Sequence, residues 1–417
     1  MSLLGWFLKV YLFIIVLLFN LQEFLLIKIS GIEFLSYFDE LVALSAYILG
    51  PLILRKKKDL WVLALLLFPL FSILHGIILD GFIWQSGRYI EVIVQSVINF
   101  KFFLYFVVFY CFYESSIKAQ RSIFDFFCLL ILISILGAIL NVILPENFVY
   151  STYEYALERK RLIGFQFKPN DLSILFSFLI CLALIIKHHK IKIKSLYLTR
   201  FVSVVLFVLI LLSTARTAIM IVMILVLGTV IFGRNKSYTV IVLILGCILG
   251  LLASGKLSQT FVISETFSNF KEFNNINNSQ YIRFIMLYYA FIIGSSYLFG
   301  VGAGNYGSVM SVDSPVYIEY GLAKISFFEN MEGIYDSNIA SITGEYGFLG
   351  LFLYFALLWK ILHYIFDSTQ SQLVFLAIGV VIAFTQPFFN YHVNSINFLL
   401  LLFSYKYLYT LSTLRRD

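Results

Sequence analysis

Long, unbroken apolar stretches recur along almost the whole chain, and most are near the roughly 20 residues that a helix needs to cross a bilayer. In lipid such a stretch has one stable solution, a helix that satisfies its own backbone. A spanning β-barrel would show alternating segments of about ten residues instead. Hydrophobic residues make up 61% of the 417 and charged residues only 13%, against about 25% charged in an average globular domain. A soluble enzyme, a disordered chain and a disulfide-framed secreted module are thereby excluded. The expected class is an all-α polytopic membrane protein, one integral membrane domain over 1–417.

About twelve spans are expected. They lie near 3–21, 34–54, 60–79, 90–112, 122–144, 170–186, 197–213, 217–233, 238–253, 345–364, 372–388 and 394–411. The first is read as an anchor and not a removed signal peptide, because no small-residue cleavage site follows it. Basic residues cluster at Arg55 and Lys56, at Lys118 and Arg121, from Lys187 to Arg200, at Arg234 and Lys236, and at Arg415 and Arg416. With alternating spans these share one side, which the positive-inside rule makes cytoplasmic, along with both termini. The net charge of +7 belongs to this bias, and no nucleic-acid partner is expected. The opposite face carries a basic loop, 145–169, and a large loop, 254–344, between spans nine and ten. Spans seven and eight are read as a hairpin turning at 213–217; one long helix would set two basic clusters on opposite sides. In the large loop, 254–280 is Ser/Asn-rich and solvated. The apolar, Gly-broken segment from Tyr281 is read as a helix at the interface or packed on the bundle.

Charged groups at membrane depth are costly and mark candidate sites. Arg216 stands among Ser213, Thr214 and Thr217. It either snorkels to headgroup phosphate or faces a cavity and binds an anion. The 145–169 loop places Arg159, Lys160, Arg161 and Lys168 on the outer face. They either meet anionic headgroups or clamp a phosphate-bearing substrate, since Arg holds two phosphate oxygens at once. Asn170 either caps a helix or touches substrate. Gly300, Gly302, Gly304 and Gly307 form a segment without the GKS/T ending of a phosphate loop, and an irregular turn is the favoured reading. Asp336 and Glu345 stand nine residues apart at the mouth of span ten. Each is a candidate base toward a sugar hydroxyl, or a helix-start acid. Arg88, Glu91, Gln95 and Asn99 fall on one face of span four, lining a groove or, more in keeping with the pattern, gluing helices. Lys101 lies mid-span, off that face. Cys111, Cys128, Cys181 and Cys247 sit inside apolar runs without metal-ligand spacing, and the five His are scattered. No metal and no cofactor are expected.

In order, "RLIGFQFKPND", "LLSTARTA", "YIRF", "LFGVGAGNY" and "YDSNIASITGEYGFLGLFLY" resemble the O-antigen polymerase and O-antigen ligase superfamily of bacterial envelope proteins, over roughly 155–360. The resemblance implies a metal-independent glycosyltransferase at the periplasmic face of the inner membrane. Donor and acceptor would be oligosaccharide repeat units on undecaprenyl pyrophosphate, and a chain-length regulator is a further partner that the family allows. Arg216 matches the arginine of a Ser-Arg-Thr-like motif, and Arg283 the arginine that opens the outer-loop helix. Arg283 and Gly294 keep an Arg-x10-Gly spacing, and Arg161 matches the basic position before Pro-Asn. Arg216 and Arg283 would hold pyrophosphate, with Arg161, Lys168, Asn170 and Asn338 contacting substrate. Asp336 or Glu345 would orient or activate the acceptor hydroxyl. Ligases of the superfamily carry His where this chain has Asp336, which favours a polymerase. The rivals are an O-antigen ligase acting on lipid A core, a polytopic transporter or flippase, and a polymerase of capsule or another exopolysaccharide.

Overall fold

The computed structural model describes residues 3–57, 59–144, 163–166, 169–188, 206, 210, 216–232, 282–331, 333–387 and 389–414. Among them every regular element is helical. In chain order these are α1 (Leu3–Lys28), α2 (Phe38–Lys57), α3 (Leu60–Leu79), α4 (Tyr89–Tyr113), α5 (Ile117–Ile143), α6 (Pro169–His188) and α7 (Arg216–Phe232). They continue with α8 (Ile282–Ser296), the short α9 (Pro315–Glu319) and α10 (Ser326–Glu329), then α11 (Asn338–Ile365), α12 (Thr369–Thr385) and α13 (His392–Leu414). Five helices among the described residues are long and apolar enough to cross a membrane: α1, α3, α4, α5 and α11. The expected span at 197–213, apart from residues 206 and 210, and that at 238–253 lie outside the described residues, as do 145–162 and 254–281. Span ten, expected from 345, belongs to a helix that already begins at Asn338.

Local signals explain several boundaries. Ser116 starts α5, its hydroxyl accepting from the Ala119 amide at 3.1 Å. Ser314 caps α9 with Pro315 at the first helical position. A π-turn over Asp80–Trp84 ends α3, and the buried Asp80 carboxylate then accepts from the Arg88 amide at 2.9 Å and from the Ser86 hydroxyl, fixing the entry into α4.

The packing suits a bundle in lipid. On α3, Leu63, Leu67, Leu70, Phe71, Leu74 and Ile78 are exposed, while Val62, Leu65, Leu66, Pro69, Ser72 and Gly76 are buried. Both faces are apolar, so the outer one suits contact with lipid, an arrangement foreign to a water-soluble surface. Helix α4 differs, with 83% of its apolar window buried against 33% in α3 and α5. It is the central post. Phe102 meets Phe389 at 4.9 Å between ring centres and Phe103 meets Tyr354 at 4.7 Å.

Candidate functional site

The glycine segment forms a buried, irregular inset. Residues 300–308 are all buried, and Gly300, Gly302, Gly304 and Gly307 all have positive φ. Buried irregular backbone is tolerated only where protein satisfies its polar groups. Here α11 supplies the partners, because it breaks at Gly347 (φ 67°, ψ −174°). In an unbroken helix the carbonyls of Gly344 and Glu345 would accept from Phe348 and Leu349. Instead they accept from the amides of Val301 at 3.0 Å and Gly302 at 2.9 Å. The Gly304 amide donates to the Glu345 carboxylate at 2.7 Å. The Gly307 amide donates to the Tyr317 hydroxyl at 2.9 Å, a phenol that burial holds neutral by raising its pKa. The loop amides that a phosphate would need are thus already taken, which supports the reading as a structural turn.

The polar face of α4 is bound into the same centre. Asn99 Nδ2 donates to Glu345 and, at 2.8 Å, to the Tyr346 hydroxyl. Gln95 and Asn390 both donate to Asn99 Oδ1, at 2.7 and 3.1 Å. Ser72 joins Ser96 at 2.8 Å and Tyr346 at 2.7 Å. Arg88 reaches the Met310 carbonyl. This stripe ties α3, α4, α11 and the glycine inset together, the gluing role favoured from its spacing. Replacing Asn99 with Leu removes a donor from a fully buried carboxylate and should lower stability by about 1–3 kcal/mol, read as an earlier thermal unfolding midpoint in detergent.

At the mouth of α11, Arg283 and Asp336 come together across 53 residues. Nη2 of Arg283 lies 3.1 Å from Oδ2 of Asp336, and the two side chains are 27% and 29% exposed. Ser337 caps the helix, its hydroxyl accepting from the Ala340 amide at 3.4 Å. Asn338 is buried, and its Oδ1 accepts from the Phe389 amide at 2.8 Å, fastening α11 to the turn before α13. Glu345 has no exposure at all. The two candidate carboxylates therefore differ: Asp336 is half-open and paired with Arg283, whereas Glu345 is closed and hydrogen-bonded. Gly294 lies close against Thr343 and Phe348, so its place in the Arg-x10-Gly spacing is where α8 packs on α11. Asn170 is the second residue of α6, and Arg216 is the first of α7. Arg161, Lys168 and the side chain of Arg216 lie outside the described residues.

A second centre was not singled out as a site from the sequence. Lys101 Nζ lies 2.5 Å from both Asp39 Oδ2 and Glu40 Oε1, and His392 Nδ1 lies 3.4 Å from Asp39. The signal was present: two acids opening span two, a lysine in the middle of span four and a histidine just before span twelve. Only their pairing was hidden. Among the described residues no group of His, Cys, Asp and Glu has the arrangement of a metal site. Comparison with protein-family models and with curated proteins finds no match.

Proposed function

We propose that the chain is a surface-polysaccharide polymerase of the O-antigen type, a metal-independent glycosyltransferase. It would span the inner membrane about twelve times and join undecaprenyl-pyrophosphate-linked repeat units at the periplasmic face. The observation that carries this reading is the half-exposed Arg283–Asp336 pair at the mouth of an apolar bundle. The order of motifs along 155–360 supports it. In the reaction the acceptor hydroxyl oxygen bonds to the anomeric carbon. The bond from that carbon to the pyrophosphate oxygen breaks, and its electron pair leaves with the pyrophosphate. A fixed guanidinium answers the growing negative charge without a metal. Arg283 takes that role here with Arg216 and Arg161, while Asp336 aims Arg283, orients the acceptor hydroxyl and takes its proton as the new bond forms. Glu345 positions the glycine inset beneath them.

The test is a surface-glycan gel from a deletion strain complemented with wild-type or variant plasmids. The deletion should leave core plus one repeat, and wild-type plasmid should restore the ladder. Arg283→Ala, at normal expression, should cut polymerisation by about 10²–10³-fold, the usual cost of losing one transition-state donor. Bare core in the deletion strain would point to a ligase or an upstream flippase, and full ladders in both Arg283→Ala and Arg216→Ala would sink the proposal. One observation favours a second reading as a transporter: the buried charge centre around Lys101, since ionisable groups at membrane depth also mark ion pathways. Uptake of labelled substrate into vesicles without bond formation would support it.

A further inference from the structure

The centre around Lys101 has more than structural content. It joins the last turns of α1 at Glu23, the first turn of α2 at Asp39 and Glu40, the middle of α4 at Lys101 and Tyr105, and the start of α13 at Tyr391 and His392. Two carboxyl groups share one ammonium at 2.5 Å, so with both ionised the group carries an excess negative charge before His392 is counted. His392 turns Nδ1 toward Asp39 at 3.4 Å. With that nitrogen as donor, the neutral ring leaves Nε2 as an acceptor. Nε2 is buried and has no hydrogen-bond partner, and the same holds for Glu40 Oε2. Native interiors rarely leave such atoms unsatisfied. Both are acceptors, so what the centre lacks is a hydrogen-bond donor. A net negative charge selects a cationic one, and the lysine and imidazole within the group disfavour a metal ion.

We propose that Asp39, Glu40, Lys101 and His392 form a proton-binding site in the membrane domain, filled from the aqueous phase past Glu40. Glu40 is the way in: its side chain is 26% exposed, against 6% for Asp39 and 5% for Lys101. A bound proton turns His392 into a second cation facing two carboxylates and balances the group. Glu23 of α1 also acts on His392 electrostatically, and Asp171 of α6 approaches through Asn394, whose Nδ2 donates to it at 2.8 Å. The charge state of the site therefore bears on how α1, α2, α4, α6 and α13 are held together. The proposal is independent of the transferase reading.

The test uses the intact protein in detergent. Deuterium exchange at C2 of the His392 ring, followed by mass spectrometry across pH, reports that ring's protonation without a histidine variant. The ring is expected to change protonation state within the pH window in which the protein stays folded, with the midpoint moved down by about half a unit or more in Glu40→Gln, where a nearby negative charge is lost. Thermal unfolding should show an inflection in the same window that His392→Gln flattens. A ring that keeps one protonation state throughout that window, or a midpoint unmoved in Glu40→Gln, would overturn the proposal.

Discussion

Lys101→Met should destabilise the folded protein by about 3–5 kcal/mol, the usual cost of removing one partner from a buried ion pair. The loss comes from what is left behind. Asp39 and Glu40 both rest on the one ammonium, and methionine leaves two carboxylates facing each other on the first turn of α2. Methionine has nearly the volume of lysine and fills the apolar part of its path, so packing changes little. The control is the triple variant Lys101→Met, Asp39→Asn, Glu40→Gln. With no charge stranded, it should recover most of the lost stability. Unfolding midpoints in a single detergent decide the matter. If Lys101→Met alone melts with the wild type, the ion triad carries no structural weight.

The second large effect belongs to Gly347. Its backbone lies in a region that only glycine populates freely, where other residues pay roughly 1–3 kcal/mol. A Cβ there would also overlap the Leu298 carbonyl oxygen and crowd the Gly300 amide. Straightening the helix is no escape, because the Gly344 and Glu345 carbonyls would then desert the glycine inset. Gly347→Ala should cost more than about 3 kcal/mol and expose 297–308 to protease. Gly321, at φ 69° and ψ 12° with open space around it, is the comparison. Gly321→Asn should be nearly neutral, since asparagine tolerates the left-handed region. Equal damage at both positions would mean that the kink is not what holds the inset.

Helix positions were legible because each depends on local apolar length. The expected spans at 60–79 and 90–112 fall on α3 and α4 almost residue for residue. The break at Gly347 was not legible. "TGEYGFLG" reads as a continuous helix start, and the kink depends on a loop some 40 residues earlier taking its carbonyls. Likewise Arg283 and Asp336 were chosen separately, one for phosphate and one for proton chemistry. Pattern alone carries no information that two residues 53 apart share a contact. The α4 stripe was visible as a stripe because its spacing is helical, whereas Lys101 looked isolated because its partners sit on other elements.

The bond between Asn99 and Glu345 also sets an order of assembly. Its two ends are 246 residues apart in the chain. At a synthesis rate of roughly 5–20 residues per second, the carboxamides of α4 enter the bilayer roughly 10–50 s before their carboxylate exists. During that interval the nascent post needs a temporary host for its polar face, whether the insertion machinery or water along the translocation channel. Nascent chains halted before α11 should therefore stay close to the insertion apparatus, and full-length chains should leave it.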